Sequence, residues 1–268
     1  MAVIILFLVH WQVSVFCQSF FQHRYAAHRQ FTMSPGWERF FNWLCYITQN
    51  SSYLNPRGYA ILHRMHHAYS DAEGDPHSPR GYRAMIPGLF TMMWKTKRKY
   101  HRLAYHEEAA EPRFEGSFPH SDILDRLGKS WVARVVWGAG FFAFYLAFAT
   151  AWWQWLLLPL HWIMGAMHGA IVNWGGHRYG YRNYPLDDVS RNALPFDFLT
   201  AGELYQNNHH KFAMSPNFAV RWWEIDTTYL VMRVLDRVGV IDMSGAQKPR
   251  WSRPAAPVPV AGSDRVAD

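Results

Sequence analysis

The chain has 268 residues, 50% apolar, 17% aromatic and 18% charged, with a formal net charge of +7. Its two cysteines, Cys17 and Cys45, exclude a disulfide framework and a cysteine-ligated zinc or iron–sulfur centre within one chain. None of the 27 Lys and Arg falls in residues 1–22 or 135–177; a nucleic-acid protein would spread its basic residues over a soluble fold, whereas this alternation matches membrane segments with positive cytoplasmic loops.

Residues 2–22 are predominantly apolar and about the ~20 residues a helix needs to cross hydrocarbon. A signal peptide competes, but no basic run precedes the segment and no small-residue cleavage site follows, so a retained span is expected. It leads directly into His23 and His28. Residues 37–55 have a shorter apolar part that ends in Gln49, Asn50, Ser51 and Ser52, which predicts an interfacial or buried helix. Were 37–55 a span, His23 and His28 would face the opposite compartment from the next histidines.

Those histidines are His63, His66 and His67. On a helix they stand at i, i+3 and i+4, so three imidazoles share one face. A metal site is the sharp reading and a polar face with chance histidines the bland one. A turn-rich stretch follows, then an amphipathic helix over 82–105 carrying Lys95, Lys97 and Arg98, suited to the membrane surface. Residues 131–150 and 152–173 predict two more spans, turning at Ala151–Gln154 and returning the chain to Asn173 and His177. Gln206, His209 and His210 repeat the i, i+3, i+4 pattern, and a further helix is expected at 222–238. Residues 1–243 read as one membrane domain and 244–268 as a disordered tail. Eight of the fifteen histidines thus gather where this topology can join them. They are too many for one ion and about right for two, of iron, copper or zinc by donor type. The predicted fold class is all-α, an integral membrane helical bundle with a cytosolic histidine-box cap.

HxxxxH at His23/His28, HxxHH at His63/His66/His67, NxxxH at Asn173/His177 and the late HH at His209/His210 after Gly202-Glu203 resemble the membrane fatty acyl-CoA desaturases of the stearoyl-CoA Δ9 type. Arg24 and Arg64 and the turn Gly74-Asp75-Pro76-His77 fit the same resemblance, which covers roughly residues 10–240. It implies two ferrous irons held at the cytosolic membrane face by His23, His28, His63, His66, His67, His177, His209 and His210. Asn173 would position a water. Gln206 departs from the pattern, since the last box usually begins with His; it could ligate weakly, hold a water or leave that position open. The implied reaction is O₂-dependent insertion of a cis double bond, expected at Δ9, into an acyl-CoA or acyl-lipid chain. Removing hydrogen from an unactivated alkyl chain is beyond any side chain, so a metal–oxygen oxidant is required.

Arg57, Lys95, Lys97 and Arg98 are candidates for a CoA phosphate or an acidic electron carrier. With no haem motif or Cys-rich domain in the sequence, a separate donor is expected: cytochrome b5-like, ferredoxin or rubredoxin. A bacterial inner membrane is favoured over endoplasmic reticulum. A lipid or alkane hydroxylase remains the alternative with the same chemistry, and a metal transporter the alternative without it. His10, His161 and His168 are expected to bond neighbouring helices, and His77, His101, His106 and His120 to be solvated. Asp71, Asp75 and Glu203 could orient imidazoles or form ordinary caps and turns.

Overall fold

The computed structural model describes residues 1–194 and 196–247. It is mainly helical, with one small antiparallel pair, β1 (Thr32–Met33) and β2 (Ile241–Asp242). Most of the expected tail, from residue 248 on, lies outside the described residues, and Ser244 and Gly245 form a turn.

Helix α1 (Ala2–Cys17) continues without a break into a π-helical segment, Gln18–Ala27, giving one 26-residue rod long and apolar enough to cross a membrane. Helix α6 (Trp131–Phe148) also meets that test. Trp131, Val132, Val135, Val136 and Leu146 of α6 are all more than 60% exposed. So much apolar surface is stable where the surrounding medium is hydrocarbon rather than water.

The third expected span, 152–173, is a bent pair of helical pieces rather than one straight helix. The chain forms a 3₁₀ turn (Trp152–Leu157), α7 (Leu158–Trp162), α8 (Met164–Ala170) and a second π segment (Ile171–Gly175), bent by 82° after Trp162. Hydroxyl groups take over the backbone bonds that the break releases. Ser51 Oγ donates to the Trp162 carbonyl at 3.0 Å, and Ser52 Oγ accepts from Gly165 N at 3.0 Å.

Helix α2 (Pro35–Gln49) starts on the Ser34 cap and leaves Trp37, Phe40, Trp43 and Ile47 exposed along one side. Helix α4 (Met85–Ala104) exposes Ile86, Phe90 and Trp94 at four-residue spacing. Both present apolar stripes of the kind that enter a membrane surface. Between them α3 (Pro56–Tyr69) is capped by Asn55, whose side chain accepts from Gly58 N. A Cβ on Gly58 would lie 2.6 Å from the Ala104 Cβ, so glycine is what lets α3 press against α4. Two short helices and a longer one complete the chain, α5 (Asp122–Lys129), α9 (Gln206–Lys211) and α10 (Thr227–Arg237). The largest apolar core joins α1 and its π extension to α2 and α10 through Phe20, Phe21, Phe41, Cys45 and Met232.

Candidate metal centre

The first functional pair depends on the π segment. In an α-helix, positions five apart point about 140° away from each other. Here His28 N donates to the His23 carbonyl at 3.1 Å, an i to i+5 bond that brings the two imidazoles back together, with ring centroids 5.0 Å apart. The HxxxxH spacing was a visible signal for this wider winding, and an ordinary helical reading misses it.

The arginines that follow the box histidines point elsewhere and hold the scaffold. Buried Arg24 donates to Ser19 Oγ at 2.5 Å and to Asp226 Oδ2 at 2.8 Å, lies 3.7 Å from Glu203, and stacks 4.0 Å from the centre of the Phe218 ring. Arg64 caps the end of the π segment by donating to the carbonyls of Ala26 and Ala27. Arg178 donates to the carbonyls of Tyr82 and Arg83. Helix α9 is fixed by its asparagines. Asn207 Oδ1 accepts from the backbone of Asn183 and Tyr184, and Asn208 bonds Asn183, Asn192 and Glu224.

These supports bring all eight sequence-selected histidines into two groups. His23, His28, His63, His67 and His209 form one, His66, His177 and His210 the other, with ligand atoms within 4.8 Å of one another in each. In the larger group, Nε2 of His209 lies 3.0 Å from Nε2 of His23 and 2.9 Å from that of His67, while His28 and His63 meet at 2.8 Å. Adjacent ligands at right angles around an ion with metal–nitrogen bonds of about 2.1 Å would stand roughly 3.0 Å apart. The donor set therefore fits a metal ion. Burial, reinforced by the neighbouring imidazoles, pushes the proton affinities of His28, His63, His67 and His209 well below the ordinary value, which leaves the rings neutral, as ligation requires.

In the smaller group every member gives its Nδ1 proton to an aspartate: His66 to Asp75 at 2.8 Å, His177 to Asp71 at 2.9 Å and His210 to Asp188 at 2.8 Å. Each Nε2 is left buried without a partner among the described residues. Burial alone would raise the Asp71 carboxyl, but His177 and Ser78 hold it down at about 2. An ionised carboxylate that fixes the tautomer and aims the free nitrogen is the usual support of a metal-bound imidazole. Glu203 does the same for His23 at 2.5 Å. Asp71, Asp75 and Glu203 thus act as orienting groups; Asp188 was missed, since no spacing in the sequence ties it to a histidine.

The larger cluster borders a cavity of about 360 Å³, lined by its His23 and His63, by His77, and by Ser52, Ile163 and Gly165 at the bend between α7 and α8. Asn173 and Gln206 lie in its wall, as does Lys97, an exposed residue of α4. Of the other head-group candidates, Arg57 is turned to Glu115 and the Leu103 carbonyl, Lys95 lies over the Tyr82 ring, and exposed Arg98 does not line the cavity.

Outside the boxes, His10 and His161 bond each other at 2.6 Å and reach Thr48 and Tyr145, as expected of structural histidines. His168, expected to bond a neighbouring helix, instead lines the cavity, and among the described residues neither of its ring nitrogens finds a hydrogen-bond partner. His101, His106 and His120 are exposed. His77 is not: it is 3% exposed, which overturns its reading as a solvated loop residue.

Comparison with known proteins gives a consistent result. The fatty acid desaturase family model matches residues 1–242. An acyl-CoA 5-desaturase of Anemone leveillei is 28% identical over 228 residues, 84% of this chain and 66% of that protein. An sn-1 stearoyl-lipid 9-desaturase of Anabaena variabilis is 28% identical over 237 residues, 81% of this chain and 74% of that protein. A hex-5-enoyl-[acyl-carrier protein] acetylenase of Moorena producens is 26% identical over 263 residues, 86% and 73% of the two chains.

Proposed function

The chain belongs to the fatty acid desaturase family, and from that premise we propose that it is an oxygen-dependent oxidoreductase that places a cis double bond in a saturated fatty acyl chain held in the 360 Å³ cavity. One observation carries the reading: eight imidazoles from distant parts of the chain converge into two ion-sized clusters, the larger of which lines that cavity through His23 and His63. We assign one iron to His23, His28, His63, His67 and His209, and a second to His66, His177 and His210. Bound iron with O₂ and two electrons supplies the oxidising power to take hydrogen from unactivated methylenes. The balance is loss of two hydrogens from adjacent carbons, with O₂, two electrons and two protons yielding two waters.

The protein's share is positional. Asp75, Asp71, Asp188 and Glu203 hold protons on Nδ1, so that each partner imidazole offers Nε2 as a lone pair. Ile163 and Gly165, at the 82° bend after Trp162, form part of the cavity wall, and an acyl chain filling the cavity would keep water from the reacting carbons. Asn173 and Gln206, which line the same cavity, would hold a water or a further ligand. Exposed Lys97 is suited to a phosphate-bearing head group such as that of acyl-CoA. A Δ9 double bond is the reading favoured by the stearoyl-lipid 9-desaturase relative. The charge pattern favours the basic segments on the cytosolic side of the membrane, and the membrane we propose is a bacterial inner membrane.

Lipid profiling of cells that express the chain tests this. New monounsaturated acyl chains that disappear in His66→Ala support it. Hydroxylated products in their place would replace the desaturase reading with a hydroxylase, and unchanged lipids despite folded, iron-loaded protein would overturn both.

A further inference from the structure

The smaller cluster is short of donors. His66, His177 and His210 supply three nitrogens, whereas the neighbouring cluster supplies five. A fourth imidazole stands beside it. His77 is buried, neither of its ring nitrogens has a hydrogen-bond partner among the described residues, and its ring centroid lies 4.3 Å from that of His66. A buried imidazole with both nitrogens unsatisfied is unfavourable unless something binds it. The ligand atoms of His66, Asp75 and His77 lie within 4.8 Å of one another in a grouping that shares only His66 with the His66, His177 and His210 set, so His77 would reach the ion of that set from the His66 side.

The local backbone holds His77 there. Asp75 accepts the His66 Nδ1 proton and the Asp71 backbone N–H on one carboxylate oxygen, at 2.8 Å each, and the His77 backbone N–H on the other, at 3.0 Å. One carboxylate therefore fixes the aim of His66 and the position of His77 together. Thr96 of α4 ties the turn down by donating to the Pro76 carbonyl at 3.1 Å. Across the site, Gln206 occupies the ground where another donor could stand. Its Cγ lies 2.4 Å from where a Cβ on Gly176 would be, next to His177, and its amide nitrogen is spent on the Glu203 carbonyl at 2.7 Å.

We propose that His77 is a ligand of the second metal ion, supplying a fourth nitrogen to the His66, His177 and His210 cluster. This rests on the two-iron assignment above. Binding joins a neutral imidazole lone pair to the ion, without electron transfer.

The test is iron content and release, independent of turnover. Full-length protein purified in detergent should hold two irons per chain. In His77→Ala the count should fall towards one, with helix content and monodispersity unchanged, and adding Gln206→His should bring it back towards two. Should His77→Ala not fold, His77→Gln preserves bulk, and a chelator should then remove one iron on the order of 10–100-fold faster than from the parent. Two irons with parental release in either variant would overturn the proposal and leave His77 as a wall of the cavity. Parental protein that binds no iron would overturn the two-iron assignment itself.

Discussion

The cluster of five histidines and the cluster of three are supported in opposite ways. Where nitrogen is plentiful, side-chain tethers are sparse: Glu203 reaches the larger cluster through His23, and its shape comes from the π winding of Gln18–Ala27 and from α3 and α9. Where nitrogen is scarce, each imidazole has its own aspartate. Ligand number and ligand preorganisation are two routes to the same end, because an ion that loses one of five donors keeps four, while an ion with three, or four with His77, depends more on each being aimed correctly. The smaller site is therefore the one that second-rank changes should reach.

The largest expected effect breaks the contrast directly. His66→Ala should cost the second iron and bring desaturation to background, while His67→Ala should also stop turnover yet retain more than half of the iron of its cluster; iron per chain measured alongside product formation checks both. If His67→Ala empties its cluster as completely as His66→Ala does, redundancy of nitrogen is not what holds the larger site.

Next come the tethers. Asp71→Asn leaves the shape of the site but no longer fixes the His177 tautomer, and should weaken iron at the smaller cluster by about 10–100-fold in chelator competition. Glu203→Gln should change iron retention less, since four other imidazoles remain. A larger loss from Glu203→Gln would reverse the comparison.

Arg24→Met sharpens the role of the scaffold at the larger cluster. It strands Asp226 and Glu203, which are buried with it, and breaking such a group is expected to cost about 3–5 kcal/mol. A lowered thermal midpoint of the apo protein in detergent would show it, where Asp71→Asn should move that midpoint less. The smallest effect lies outside both clusters. Lys97→Ala, on an exposed side chain, should raise KM for an acyl-CoA by less than about tenfold and leave kcat alone, with a difference that fades at high salt.

Much of this was readable from local pattern. His63, His66 and His67 share a face because 3.6 residues make a turn, and the charge-free blocks mark apolar segments because charge is costly in hydrocarbon. The bend after Trp162 was not readable, since the residues that stabilise it, Ser51 and Ser52, come from more than a hundred positions away. Asp188 and His77 escaped for the same reason: a carboxylate or imidazole in a turn looks solvated until the fold closes over it.

By itself, then, the sequence determined the helical class, the membrane-crossing stretches and the identity of eight converging histidines, because residue type and short-range spacing carry those properties. The division into five and three, the aspartate given to each member of the smaller set, and the burial of His77 were decided by tertiary structure alone. They depend on which side chains from distant segments come within hydrogen-bonding or ligand distance, and no local periodicity encodes that.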